Sequence, residues 1–281
     1  MHRADREPCA IGVFDSGVGG LSVLREIVGH LPHHPVLYFA DSAHVPYGPR
    51  QKDEIRAFAK AIVAFLVDQE AGVLVVACNT ASAAALHFLR DRFEVPIVGM
   101  EPAIKPATEH TRSRHVGVIA TQATFQGELF ARLVERFAGD TQIHCQVCPG
   151  LVERVEAGQA DDPETEALLG QYLGPMLAAG IDSLVLGCTH YPFLRPAIER
   201  VIAGAGREVA ILDPAPAVAR QTGRVLAGRD CPDGPGAGGV TYFTSGDPVV
   251  FRAQAQTLVG IAGPVRAVRW EGECVVAVDL L

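Results

Sequence analysis

The sequence predicts an α/β protein made of two pseudo-symmetric, doubly wound parallel-sheet domains, and three observations carry that expectation. Short β-branched runs alternate with longer segments of helical periodicity almost from the start, the rhythm of parallel strands joined by crossover helices. Two of the runs are nearly identical and each ends at a cysteine, in Leu74-Val-Val-Ala-Cys78-Asn-Thr80 and Leu184-Val-Leu-Gly-Cys188-Thr-His190. A weaker pair, Gly12-Val-Phe-Asp-Ser16 and Gly117-Val-Ile-Ala-Thr121, is offset by 105 residues, against 110 for the cysteine runs. Two nearly equal offsets between strand ends point to a duplicated half, although Val/Ile/Gly strands also resemble one another by chance.

Taken in order, strands are expected at Ile11–Phe14, Val36–Phe39, Val73–Val76, Ile97–Val98, Val116–Ile119 and Leu184–Leu186, each bounded by Gly, Pro or Asp. A helix is expected between Gln51 and Glu70, where Ile55, Phe58, Ile62, Phe65 and Leu66 share one face. A second carries Leu129, Phe130, Leu133, Val134 and Phe137, and a third Leu168, Leu169, Tyr172, Leu173, Met176 and Leu177. The Gly/Pro/Asp-rich stretch 228–239 reads as a surface loop before a last strand at Val240–Thr244. The expected domains are 1–98 with 210–281, carrying Asp15 and Cys78, and 99–209, carrying Glu153 and Cys188.

Composition narrows the function classes. A chain of 281 residues, 48% hydrophobic and 20% charged, buries a sizeable core and is not disordered. A formal charge of −8 argues against a nucleic-acid surface as the main feature. The segment Met1–Pro8 is short and polar, unlike a signal peptide, and no apolar run reaches the ~20 residues of a membrane span. A cytoplasmic protein with reduced thiols is therefore expected, and seven scattered cysteines do not form a disulfide framework.

Strand ends deliver side chains to the mouth of a parallel sheet, where α/β folds bind ligands. The residues after Cys78 are good helix starters, so its sulfur is expected near free N–H groups at a positive helix end, which would lower the thiol pKa. A lone buried cysteine is more often a small hydrophobe. Two in matching polar settings instead suggest a pair of thiols serving one substrate from two sides. Cys145-Gln-Val-Cys148, with His144 beside it, is a single short-spaced pair without a second pair to complete a zinc site. Cys9, Cys231 and Cys274 read as structural or incidental.

Phe14-Asp15-Ser-Gly-Val-Gly-Gly20 is not a Gly-x-Gly-x-x-Gly phosphate loop, and a carboxylate at the strand end repels phosphate. Asp15 suits a substrate ammonium or a proton relay beside a thiol, or a cap on the next helix. The turn ending in Tyr47-Gly48 can offer backbone N–H groups to a carboxylate, and Thr121 and Thr124 add hydroxyls at another strand end. Such short donors suit a small zwitterion. Lysine occurs only at 52, 60 and 105, away from any pocket motif, so no pyridoxal Schiff base is expected, nor any other cofactor or metal.

Together, Phe14–Gly20, Val45-Pro-Tyr-Gly48, Ala77-Cys-Asn-Thr-Ala-Ser82, Leu186-Gly-Cys-Thr-His-Tyr-Pro-Phe193 and Thr244-Ser-Gly-Asp247 resemble the glutamate racemases of the aspartate/glutamate racemase family. The resemblance runs nearly the whole chain in order. It implies a cofactor-independent racemase, its active site in the cleft between the two domains, supplying D-glutamate for bacterial peptidoglycan. It also implies catalytic roles for Cys78 and Cys188, assisted by Asp15 and His190 respectively, with Glu153 as a further acidic residue of the site. Ser16, Tyr47, Gly48, Asn79, Thr80, Thr121 and Thr189 would join Asp15 and His190 in binding substrate. Ala40-Asp41-Ser42 and His44 depart from a common Gly-Asp-Thr and Arg. The implied partners are L- and D-glutamate and a second copy in a homodimer, with neither nucleic acid nor membrane. A racemase for aspartate or another amino acid, and a non-catalytic amino-acid-binding regulatory protein on the same scaffold, are the alternatives.

Overall fold

The computed structural model describes residues 10–229 and 238–278. Met1–Pro8, Cys9, Cys231 and most of the 228–239 loop lie outside the described residues. The first sheet has seven strands in the order β11-β10-β9-β2-β1-β3-β4, where β1 is Ala10–Asp15, β2 Val36–Ala40, β3 Ala71–Val76, β4 Ile97–Gly99, β9 Val240–Thr244, β10 Val265–Glu271 and β11 Cys274–Ala277. The second has four, β6-β5-β7-β8, where β5 is His115–Ala120, β6 Gln142–Val147, β7 Ser183–Gly187 and β8 Ala210–Leu212. All pairings are parallel except β10 with β11.

The core of the first sheet, β2-β1-β3-β4, and the whole of the second, β6-β5-β7-β8, have the same strand order. The two cysteine runs occupy the same place in each set, as β3 beside β1 and β7 beside β5. Every residue of β3 and of β7 is buried, which is why both read as unbroken apolar runs.

Helices α1 (Leu21–His30), α2 (Lys52–Asp68) and α3 (Asn79–Arg90) serve the first sheet. Around the second lie α4 (Ile104–His110), α5 (Gln122–Gln126), α6 (Glu128–Phe137), α7 (Leu151–Glu156), α8 (Pro163–Ala178) and α9 (Arg195–Gly204). The chain then returns through α10 (Ala215–Ala227), which packs on α1, and α11 (Pro248–Leu258), which packs on β10. No helix among the described residues is long and apolar enough to cross a membrane.

Two expectations about extent are corrected. Ala210–Leu212 pairs with Ser183–Val185, so these residues belong to the second sheet and the return to the first begins after them. The strand at Val240–Thr244 is not the last, because β10 and β11 extend the same sheet beyond it. The causes are physical: β8 has only three residues, β10 buries only Val265 and Val268, and β11 buries none of its residues fully, so none of the three reads as a continuous apolar run.

Candidate active site

Asp15, Cys78 and the polar residues around them stand at the C-terminal ends of β1 and β3. Cys78 is the N-cap of α3, and its Sγ accepts the Ala81 N–H at 3.4 Å. The expected helix-end geometry is therefore present, but its expected effect is not. Burial, and then the adjacent Asp15 carboxyl, push the Cys78 thiol well above its ordinary value, and Cys188 adds to the rise. One N–H at a long sulfur distance does not offset the loss of water.

Asp15 is wholly buried, and burial raises its pKa despite the opposing charge of His190. Its Oδ2 accepts the Gly20 N–H at 2.7 Å at the start of α1, so it fastens the glycine turn as well as facing Cys78. Its other oxygen, Oδ1, and both polar side-chain atoms of Asn79 are buried without a protein partner. An unpaired buried polar atom costs about 1–3 kcal/mol. All three lie at the strand ends around Cys78.

Cys188 and His190 follow β7. Cys188 Sγ lies 3.8 Å from His190 Nδ1, and His190 Nε2 lies 2.7 Å from Glu156 Oε1. Burial alone lowers a histidine pKa, but the bonds to Cys188 and Glu156 outweigh it and hold His190 well above its usual value. The neighbour of Cys188 is thus an imidazole whose protonated form the site favours, whereas that of Cys78 is a carboxyl group.

The halves meet directly over this chemistry. Glu156 Oε1 also accepts the Val18 N–H at 2.9 Å, Ser22 Oγ donates to the Thr189 carbonyl at 2.9 Å, and the Thr80 and Thr121 hydroxyls are 2.9 Å apart. These contacts explain the glycine-rich turn. A Cβ on Gly17 would stand 2.0 Å from Glu156 Oε1, and one on Gly19 would stand 2.3 Å from His190 Nδ1. The glycines admit the opposite half of the molecule rather than a phosphate.

Of the other expected residues, Ser16, Asn79, Thr80, Thr189 and His190 are buried at these same strand ends. Gly48 lies against Thr121, with the Cβ position 3.2 Å from the threonine Cβ. Tyr47 is buried too, but its hydroxyl is turned away to Asp41, to which it donates at 2.6 Å. Glu153 is the exception. It is exposed, and Glu156, one helical turn further along α7, makes the contact with His190. The segment Leu-Val-Glu-Arg-Val-Glu156 offers two acids at i and i+3, and the spacing alone does not say which one the docking of the two halves selects. Cys145 is exposed and Cys148 buried, and the described residues contain no cluster of three or more metal-ligating side chains.

The Asp/Glu/Hydantoin racemase family model matches residues 11–222. The chain belongs to that family. It is accordingly an isomerase of the racemase class, and its relatives extend across its length. A glutamate racemase of Herpetosiphon aurantiacus is 49% identical over 249 residues, covering 88% of this chain and 97% of that protein. One from Pseudomonas aeruginosa is 54% identical over 224 residues, covering 79% and 83%. Among solved structures, Escherichia coli glutamate racemase in complex with L-glutamate and the activator UDP-MurNAc-ala is similar with a TM-score of 0.82 at 33% identity, over 94% of this chain and 99% of that one. The two-sheet fold is thus shared with a solved glutamate racemase over nearly the whole chain.

Proposed function

We propose that the protein interconverts L- and D-glutamate by proton transfer at Cα between Cys78 and Cys188, without a cofactor. The observation that supports it most directly is the placement of two buried thiols at equivalent strand ends of two like-ordered sheets, with unpaired polar atoms beside one of them. Racemisation breaks the Cα–H bond on one face and forms a new one on the other. One thiolate accepts the first proton, and the opposing thiol supplies the second, so the substrate need not turn over.

In this reading Cys188 removes the proton of L-glutamate and Cys78 that of D-glutamate. His190, held by Glu156, assists Cys188, and Asp15 assists Cys78. The Cα–H is far less acidic than a thiol, so the barrier falls only if charge developing toward the carboxylate meets fixed donors. Ser16, the Tyr47–Gly48 turn, Asn79, Thr80, Thr121 and Thr189 supply short donors of that kind, and Asp15 faces the ammonium. Closure of one half on the other excludes water and strengthens these contacts.

The supply of D-glutamate for peptidoglycan, a cytoplasmic location and a homodimer complete the proposal. Its test is circular dichroism of purified protein with L- and D-glutamate and no added cofactor, repeated with aspartate and other amino acids. Loss of optical rotation for glutamate, at the highest kcat/KM of the set, supports it. Inactivity on glutamate, or preference for another amino acid, overturns it.

A further inference from the structure

The strand-order repeat leaves β9, β10 and β11 without a counterpart in the second sheet. These strands deliver two side chains to a carboxylate next to the candidate site. Asp41 follows β2, is fully buried, and its N–H donates to the Asp15 carbonyl at 3.0 Å. Its Oδ1 accepts from Ser245 Oγ at 2.8 Å and from the Trp270 indole Nε1 at 2.9 Å. Its Oδ2 accepts from the Tyr47 hydroxyl at 2.6 Å, and His44 Nδ1 lies 2.9 Å from the same oxygen. Four side chains occupy the roughly four lone-pair sites of a carboxylate, so Asp41 has no capacity left for a ligand. It is a fastening point.

What it fastens is the segment 41–48. His44 lies face to face with Phe58 at 4.0 Å and edge-on to Trp270 at 4.9 Å, while Tyr47 sits 5.7 Å from the same Phe58 ring. The Ser245 hydroxyl takes the Ala43 N–H at 3.0 Å. The turn that ends in Tyr47 and Gly48 is therefore bonded, through Asp41, to a tryptophan more than two hundred residues away in sequence.

We propose that Trp270 is a positioning residue: acting through Asp41, it holds the Tyr47–Gly48 turn in its substrate-binding arrangement. The inference rests on the reading of that turn as part of the glutamate site. Without the indole donor, the turn spends less time in the competent arrangement, and apparent affinity falls by that fraction. The effect belongs on KM, because neither Trp270 nor Asp41 touches a thiol.

The test uses Trp270→Phe, which keeps the ring packing and removes the N–H, beside Val275→Ala, a truncation at its partner position on β11. Trp270→Phe is expected to raise KM for both glutamate enantiomers about five- to tenfold with kcat changed less than twofold, and Val275→Ala to lower Tm without moving KM. An unchanged KM in Trp270→Phe, or an equal rise in both variants, overturns the inference. Trp270 is the chain's one tryptophan, so a second readout needs no turnover: unliganded Tyr47→Phe should shift its emission maximum relative to the parent protein. If the parent does not racemise glutamate, the proposed function fails alone, and this emission experiment decides the inference. Unchanged emission then overturns it, and a shift sustains the Tyr47–Asp41–Trp270 linkage.

Discussion

Val18 and His190, from opposite halves of the molecule, meet on a single oxygen of Glu156, at 2.9 and 2.7 Å respectively. The ring that faces Cys188 is thereby oriented by a carboxylate that the first sheet's glycine turn holds in place. Docking of the halves and alignment of the imidazole are the same event.

Glu156→Gln should lower kcat/KM for glutamate racemisation by about 10- to 100-fold, the loss of one charge-assisted hydrogen bond. Glu153→Gln, at an exposed position, should leave it within about twofold. Circular dichroism rates for both variants check this. A larger loss in Glu153→Gln would return the acidic role to that residue.

The raised His190 pKa has a definite sign. The fold favours the imidazolium, so its contribution to stability is complete below the ordinary histidine value of about 6.5 and is lost as pH rises through the higher folded value. Activity that needs the cation should show an alkaline limb well above that ordinary value. Removing the Glu156 charge removes one cause of the rise, so the limb should move to lower pH in Glu156→Gln. A pH–rate profile with the same limb in both proteins would refute the assignment.

Gly19→Ala places a methyl where the His190 ring stands and should cost about 100-fold in kcat/KM by displacing it. Gly29, in α1, has no heavy atom within 4 Å of its Cβ position. Gly29→Ala should therefore keep full activity and raise stability by about 0.5–1 kcal/mol. Thermal melts and initial rates on both variants separate crowding at His190 from a general effect of the methyl.

Cys78→Ala and Cys188→Ala should each abolish racemisation, yet each should still eliminate from a glutamate analogue with a β leaving group. Elimination needs only the first proton removal, so Cys188→Ala should retain it on the D-analogue and Cys78→Ala on the L-analogue. Full racemisation by either variant would exclude the two-base mechanism.

The strands and thiols were legible because their signals are local. Buried parallel strands read as continuous apolar runs, and a polar strand end after a cysteine is visible in a handful of residues. What depended on distant packing was not legible. The choice of Glu156 over Glu153 is made by contact with Val18 and His190. The upward push on Cys78 comes from burial and from Asp15, neither of which its own helix start reveals. The edge strand β6 mixes partly buried and exposed residues and buries none fully, and so hid among the loops. The aromatic group around Asp41 joins segments at opposite ends of the chain, beyond the reach of any periodicity.

The shared strand order of β2-β1-β3-β4 and β6-β5-β7-β8 carries a geometric consequence. Two like-ordered units built from L-residues are related at best by rotation, never by reflection. A pocket assembled from them can set one thiol against each side of a planar carbon, but it cannot offer mirror-image surroundings to mirror-image ligands. The companions of the two sulfurs differ in keeping with that: a carboxyl group stands beside Cys78 and an imidazole beside Cys188.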